Sequence, residues 1–167
     1  MDIQDLQKLL VEKTELNAVE TFDISPVVSI ELNEVIASNE SRYASQNSCY
    51  TNAANLVLDS VMDEDLEYVL VFGIRKDRPD VVEASKVCPD VQPHIIPLAE
   101  DTYAFGHALV YNYMDDEFYD PTLQSAYFGL ADHYFLVKRF EEEELVHYLK
   151  QNELIPPMLV LNKSCDR

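Results

Sequence analysis

Glycine is nearly missing from this chain, with only three in 167 residues, and no long Ser/Gly/Pro tract occurs. That composition excludes a flexible linker and a disordered class, and it excludes the glycine-dependent phosphate loops of Walker and dinucleotide-binding type. Cysteine is also sparse. The three at 49, 88 and 165 are an odd number without C-x-x-C spacing, which makes no disulfide framework and fits a reducing compartment. No apolar run approaches twenty residues, and M-D-I-Q-D-L-Q-K-L-L at the N-terminus has no positive region leading into an apolar one, so neither a membrane span nor a signal peptide is expected. Basic residues are outnumbered, 12 against 31 acidic, for a formal charge of −19. Such a field repels nucleic-acid phosphates and anionic membranes, so direct binding to either is not expected. The cysteine pattern and the N-terminal and apolar-run features give the expectation of a cytoplasmic location.

What is present is a hydrophobic content of 47%, enough for a core that needs no staples, and a length that suits one domain over residues 1–167. Asp2 can cap a first helix whose stripe is Ile3, Leu6, Leu9, Leu10 and Leu16. Residues 22–47, with Pro26 and a β-rich V-V-S-I-E-L run, predict an extended approach and then a polar loop. Asn47 or Ser48 can then cap a second helix, in which Tyr50, Ala54, Val57, Leu58 and Val61 share a face. Leu66 to Ile74 predicts a strand. The proline-bearing stretch 75–106 predicts an irregular loop segment, read either as a substrate-selecting lid or as a plain surface loop. Strands are predicted at His107 to Met114, Glu117 to Asp120 and His133 to Phe140, the first two joined as a hairpin. A last helix runs from Glu141 to Gln151, with acidic residues at its start and Pro156-Pro157 beyond its end. The fold class is α+β, with a helix packed on an antiparallel sheet and helices flanking it at both ends.

Three residues carry chemistry. Cys49 stands at a helix start, where free N–H groups and the helix dipole favour a thiolate and can hold an oxyanion; the bland alternative is a small buried apolar residue. His107 is expected to open a strand, a rigid mount for a base. Asp120, thirteen residues on and across the hairpin, can return beside His107 and fix its tautomer, while also serving as a turn-former ahead of Pro121. A zinc site has no support, because no Cys or His pair has ligand spacing, and no metal or cofactor is expected. The run Glu141 to Glu144 reads as a helix-start charge run, and His133 and His147 as surface or structural residues.

In that order, C-Y-T-N-A-A on a helix, then G-H-A-L-V, then Y-D-P-T resembles the papain-like superfamily in its broad sense. The D-P-T ending is most similar to the transglutaminase-like and small bacterial or phage-type branches, whereas papain itself has an asparagine after the histidine. The similarity covers residues 46–122 within a core of about 46–140, and the terminal helices lie outside it. It implies a Cys-His-Asp site in which Cys49 attacks an amide carbonyl, His107 protonates the leaving amine and Asp120 orients His107. It also implies a glutamine in the oxyanion hole, for which Gln46 is the nearest candidate, although papain-type enzymes space this glutamine further from the cysteine and follow the cysteine with tryptophan rather than Tyr50.

Two functions therefore stand as expectations. The first is a cysteine-dependent hydrolase or acyl transferase of peptidase, deamidase or transglutaminase type, acting on a protein or peptide. The second keeps the fold without catalysis, as an acidic inhibitor or adaptor, in the extreme a DNA mimic, that binds a basic protein.

Overall fold

The structure, a computed structural model, describes residues 1–14, 16, 20–21, 26–27, 29–43, 49–59, 66–76, 95–122 and 131–159. Helix α1 (Ile3–Thr14) starts as its sequence predicts. The Asp5 amide donates to Asp2 Oδ1 at 2.9 Å and the Asp2 nitrogen reaches back to Asp5 Oδ2 at 3.4 Å, a reciprocal cap. Leu6 and Leu10 are its buried residues.

The chain between α1 and the Cys49 helix departs from expectation. After the two-residue strand β1 (Glu20–Thr21) come helix α2 (Ile30–Ser38) and the single turn α3 (Glu40–Tyr43), where an extended approach and a loop were predicted. The cause is local: the Ser29 side chain accepts from the Leu32 amide and nucleates a helix inside a run that looks β-rich by composition. Leu32 is the residue α2 buries.

Helix α4 (Cys49–Asp59) buries Tyr50, Asn52, Ala53, Ala54, Leu56 and Val57. Leu58, expected on the same face, is 38% exposed. The cap candidates Asn47 and Ser48, like Val61, lie outside the described residues.

The sheet contains β2 (Leu66–Lys76), β3 (Ile95–Ala99), β4 (Thr102–Asn112), β5 (Glu117–Tyr119) and β6 (His133–Phe140) as well as β1. Its order is β1-β6-β2-β4-β3, with β5 also on β4, and every pairing is antiparallel. The expected irregular segment 75–106 is thus strand at both ends, and residues 77–94 lie outside the described residues. Pro97 misleads because β3 is an edge strand, where a missing ladder donor is tolerated.

The sheet has two apolar faces. On one, Tyr68, Leu70, Phe72, Ala104, Ala108, Val110 and Phe135 pack with residues of α1, α2, α4 and the last helix α5 (Glu142–Gln151). On the other, Val69, Val71, Leu109, Tyr111, Phe118, Tyr134 and Leu136 form a second cluster. Each fully buried Leu or Phe of this kind contributes about 1.5–3 kcal/mol. The architecture is α+β. Among the described residues no helix is long and apolar enough to cross a membrane.

Candidate active site

Three elements converge on His107. It sits in the middle of β4, paired with Val71 of β2, rather than at a strand start as predicted; β4 begins five residues earlier because Thr102 to Gly106 pair with Lys76 to Phe72. Strand alternation puts its side chain on the face of Val71, Leu109 and Tyr111. Helix α4, by contrast, packs on the opposite face, where Cys49 touches the core.

The outer edge of β4 is interrupted beside His107. That edge pairs with β3 through Thr102 to Phe105 and with β5 through Val110 to Asn112. Between the two partners, the ladders among the described residues leave Gly106, His107, Ala108 and Leu109 uncovered on this side. The Cys49 side chain, at the first residue of α4, hydrogen-bonds with the His107 ring. Cys49 itself is partly exposed and carries no disulfide.

On its other side the ring meets Asp120. Tyr119 pairs with Val110, which brings the next residue alongside β4, and His107 Nε2 lies 2.7 Å from Asp120 Oδ2. Nε2 is thereby engaged, leaving Nδ1 for Cys49. The second carboxylate oxygen, Oδ1, accepts the Thr122 amide at 3.0 Å. His107 and Asp120 are both buried, at 3% and 4% exposure.

Burial alone would drive the ring towards neutrality. The Asp120 charge, its hydrogen bond, and the Cys49 hydrogen bond and charge together outweigh this and raise His107 from 6.5 to about 10. A buried imidazolium held between a carboxylate and a thiol is the electrostatic result.

Two of the three glycines make room for aromatic rings here. A Cβ on Gly106 would lie 2.7 Å from the Tyr50 hydroxyl oxygen and 3.2 Å from Leu159 Cβ, so this position lets the residue after Cys49 lie against β4. A Cβ on Gly73 would lie 2.3 Å from Phe105 Cζ, and Phe105 meets the His107 ring edge-on at a centroid distance of 6.2 Å. Burial, followed by the charge of Cys49, pushes the Tyr50 phenol up, so it stays neutral beside the thiol.

Of the residues singled out in the sequence, Cys49, His107 and Asp120 are therefore in mutual contact through the imidazole. Gln46 lies outside the described residues. Among the described residues no group of three or more His, Cys, Asp or Glu side chains could hold a metal ion. Sequence reasoning passed over Asn52 and Thr122, which are buried and joined by a 3.2 Å hydrogen bond. The signal was available: a polar residue three positions after Cys49 falls on the same helix face.

Comparison of the chain with family models, with curated proteins and with solved structures finds no match. The functional reading rests on the geometry.

Proposed function

We propose that the chain is a cysteine-dependent hydrolase or acyl transferase acting on amides, built on a papain-like core in the broad sense and working through Cys49, His107 and Asp120. The observation that carries this reading is the buried His107 ring held between the Cys49 thiol and the Asp120 carboxylate. A histidine placed only for packing would be neutral in so dry a setting.

In this reading the Cys49 proton resides on His107, and the thiolate is stabilised by the imidazolium and by the positive end of the α4 dipole. The sulfur attacks the amide carbonyl carbon, and the positive end of the α4 dipole favours the developing oxyanion. The C–N bond breaks as the ring proton passes from Nδ1 to the leaving amine, giving a thioester on Cys49. Water deprotonated by the now neutral ring releases an acid, as in peptide hydrolysis or side-chain deamidation; an incoming amine instead completes a transamidation. Asp120, bonded to Nε2, keeps Nδ1 facing the sulfur throughout. A protein or peptide substrate, a basic one being favoured by the charge of −19, and a cytoplasmic setting belong to the same proposal.

Selective alkylation tests it. Iodoacetamide at mildly acidic pH, with sites read by mass spectrometry, should modify Cys49 well ahead of Cys88 and Cys165. Equal, slow modification of all three would remove the case for an activated thiol. The acidic surface favours one further reading, a non-catalytic adaptor or inhibitor for a basic protein; Glu141 to Glu144 are all exposed at the start of α5. Under that reading Cys49→Ala retains the biological effect, and partner binding weakens steeply with salt.

A further inference from the structure

Beyond the three residues of the proposed mechanism, one chain of polar contacts closes on itself. Asn52 sits in the first turn of α4, three residues after Cys49, and is 1% exposed. Its Nδ2 donates to Thr122 Oγ1 at 3.2 Å. The Thr122 amide donates to Asp120 Oδ1 at 3.0 Å, while Asp120 Oδ2 lies 2.7 Å from His107 Nε2. The His107 ring hydrogen-bonds with Cys49, which returns the circuit to α4. Asp120, Thr122 and His107 are all buried, so no solvent is at hand to substitute for a lost bond.

We propose that Asn52 and Thr122 are positioning residues: their hydrogen bond ties the nucleophile helix to the turn after β5 and so fixes the reach between Cys49 and the His107–Asp120 pair. The inference rests on the thiol acyl-transfer reading and adds to it a determinant of geometry. The physical need is specific to this fold. Cys49 packs with the core on one face of the sheet and His107 belongs to the other, and the β4 edge beside His107 has no ladder among the described residues. Sheet hydrogen bonds hold Asp120 to β4 through the Tyr119–Val110 pairing, but the helix start needs its own attachment. The Asn52–Thr122 bond supplies it within one helical turn of the sulfur. The Thr122 amide also engages Oδ1, which leaves Oδ2 directed at the ring.

The test compares Thr122→Val, which keeps the shape and removes the acceptor, with Thr122→Ser, which keeps the hydroxyl. Two quantities are read on the full chain: the His107 titration midpoint by NMR and the rate of Cys49 alkylation by iodoacetamide. Thr122→Val should lower the midpoint by roughly one unit and slow alkylation roughly five- to tenfold, the effect of one lost buried hydrogen bond. Thr122→Ser should restore both. Asn52→Leu cuts the same bond from the helix side and should reproduce the valine values. Wild-type midpoint and rate in either folded cutting variant, or equal loss in the valine and serine variants, overturns the proposal. Should both cutting variants fail to fold, exchange of the Asn52 side-chain amide in the unaltered protein decides: slow exchange supports the bond and fast exchange overturns it. The two levels separate cleanly. A wild-type Cys49 no more reactive than Cys88 and Cys165 defeats the catalytic reading, while an unshifted His107 midpoint in the cutting variants defeats the positioning role alone.

Discussion

Gly106→Ala is the smallest change that should separate Cys49 from His107 without touching either. The new Cβ would stand 2.7 Å from the Tyr50 hydroxyl oxygen and 3.2 Å from Leu159 Cβ. Carbon contacts are comfortable at about 3.5 Å or more, so the phenol has to withdraw by roughly 0.8 Å. It has little freedom to do so, because Tyr50 is 7% exposed and its oxygen meets the backbone of Leu159. Part of the displacement therefore passes to the first turn of α4, where Cys49 is the adjacent residue. Overpacking of this kind costs about 1–3 kcal/mol of stability. A shift approaching 1 Å at a reacting group can cost about 10²-fold in rate, so a loss of about tenfold or more in Cys49 alkylation is expected. The assay pairs urea denaturation with alkylation kinetics in Gly106→Ala, in Tyr50→Phe and in the double variant. Removing the hydroxyl gives the new methyl its space, so Tyr50→Phe should recover most of the reactivity lost to Gly106→Ala. Unchanged stability and reactivity in Gly106→Ala, or no recovery in the double variant, would refute the reasoning.

Other outcomes follow from the same site. His107 is raised above its unfolded value of 6.5, so the charged ring contributes stability that is fully present below about 6.5 and lost as pH rises towards about 10; urea midpoints should fall across that window in the wild type and much less in His107→Gln. Cys49→Ser should fold normally and lose at least about 10³-fold in turnover of any amide that the wild type cleaves, measured by steady-state kinetics. Asp120→Asn should lower the His107 titration midpoint further than Cys49→Ala does, because the Asp120 contributions outrank those of Cys49; the reverse order by NMR would mean that the carboxylate is not the dominant partner. Gly73→Ala should destabilise the protein in urea by about 1–3 kcal/mol, because Phe105 has to leave the position it holds beside His107.

The antiparallel α+β architecture, the Cys49 helix and the strands β2, β5 and β6 could be read from periodicity, because their apolar patterns agree with their local propensities. Helix α2 could not, since its start depends on one Ser29 side-chain bond that overrides a β-branched run. Pro97 concealed β3 for a comparable reason: whether a strand lies at an edge is a property of the sheet and not of its own residues. With β3 hidden, the apolar pattern starts β4 at His107, whereas the residue is a mid-strand position beside an interrupted edge. At the site, Cys49, His107 and Asp120 drew attention because their side chains react or titrate. Asn52 and Thr122 do neither, and their importance is visible only once residues seventy positions apart are brought within 3.2 Å.

The charge state of His107 is where the whole account can be tested in one measurement. NMR of histidine-labelled protein should show a His107 midpoint near 10 in the wild type and a lower one in Cys49→Ala, as a ring gripped from both sides requires. A midpoint near 6.5 in both proteins would mean that neither Asp120 nor Cys49 holds the ring, and it would contradict the proposed site.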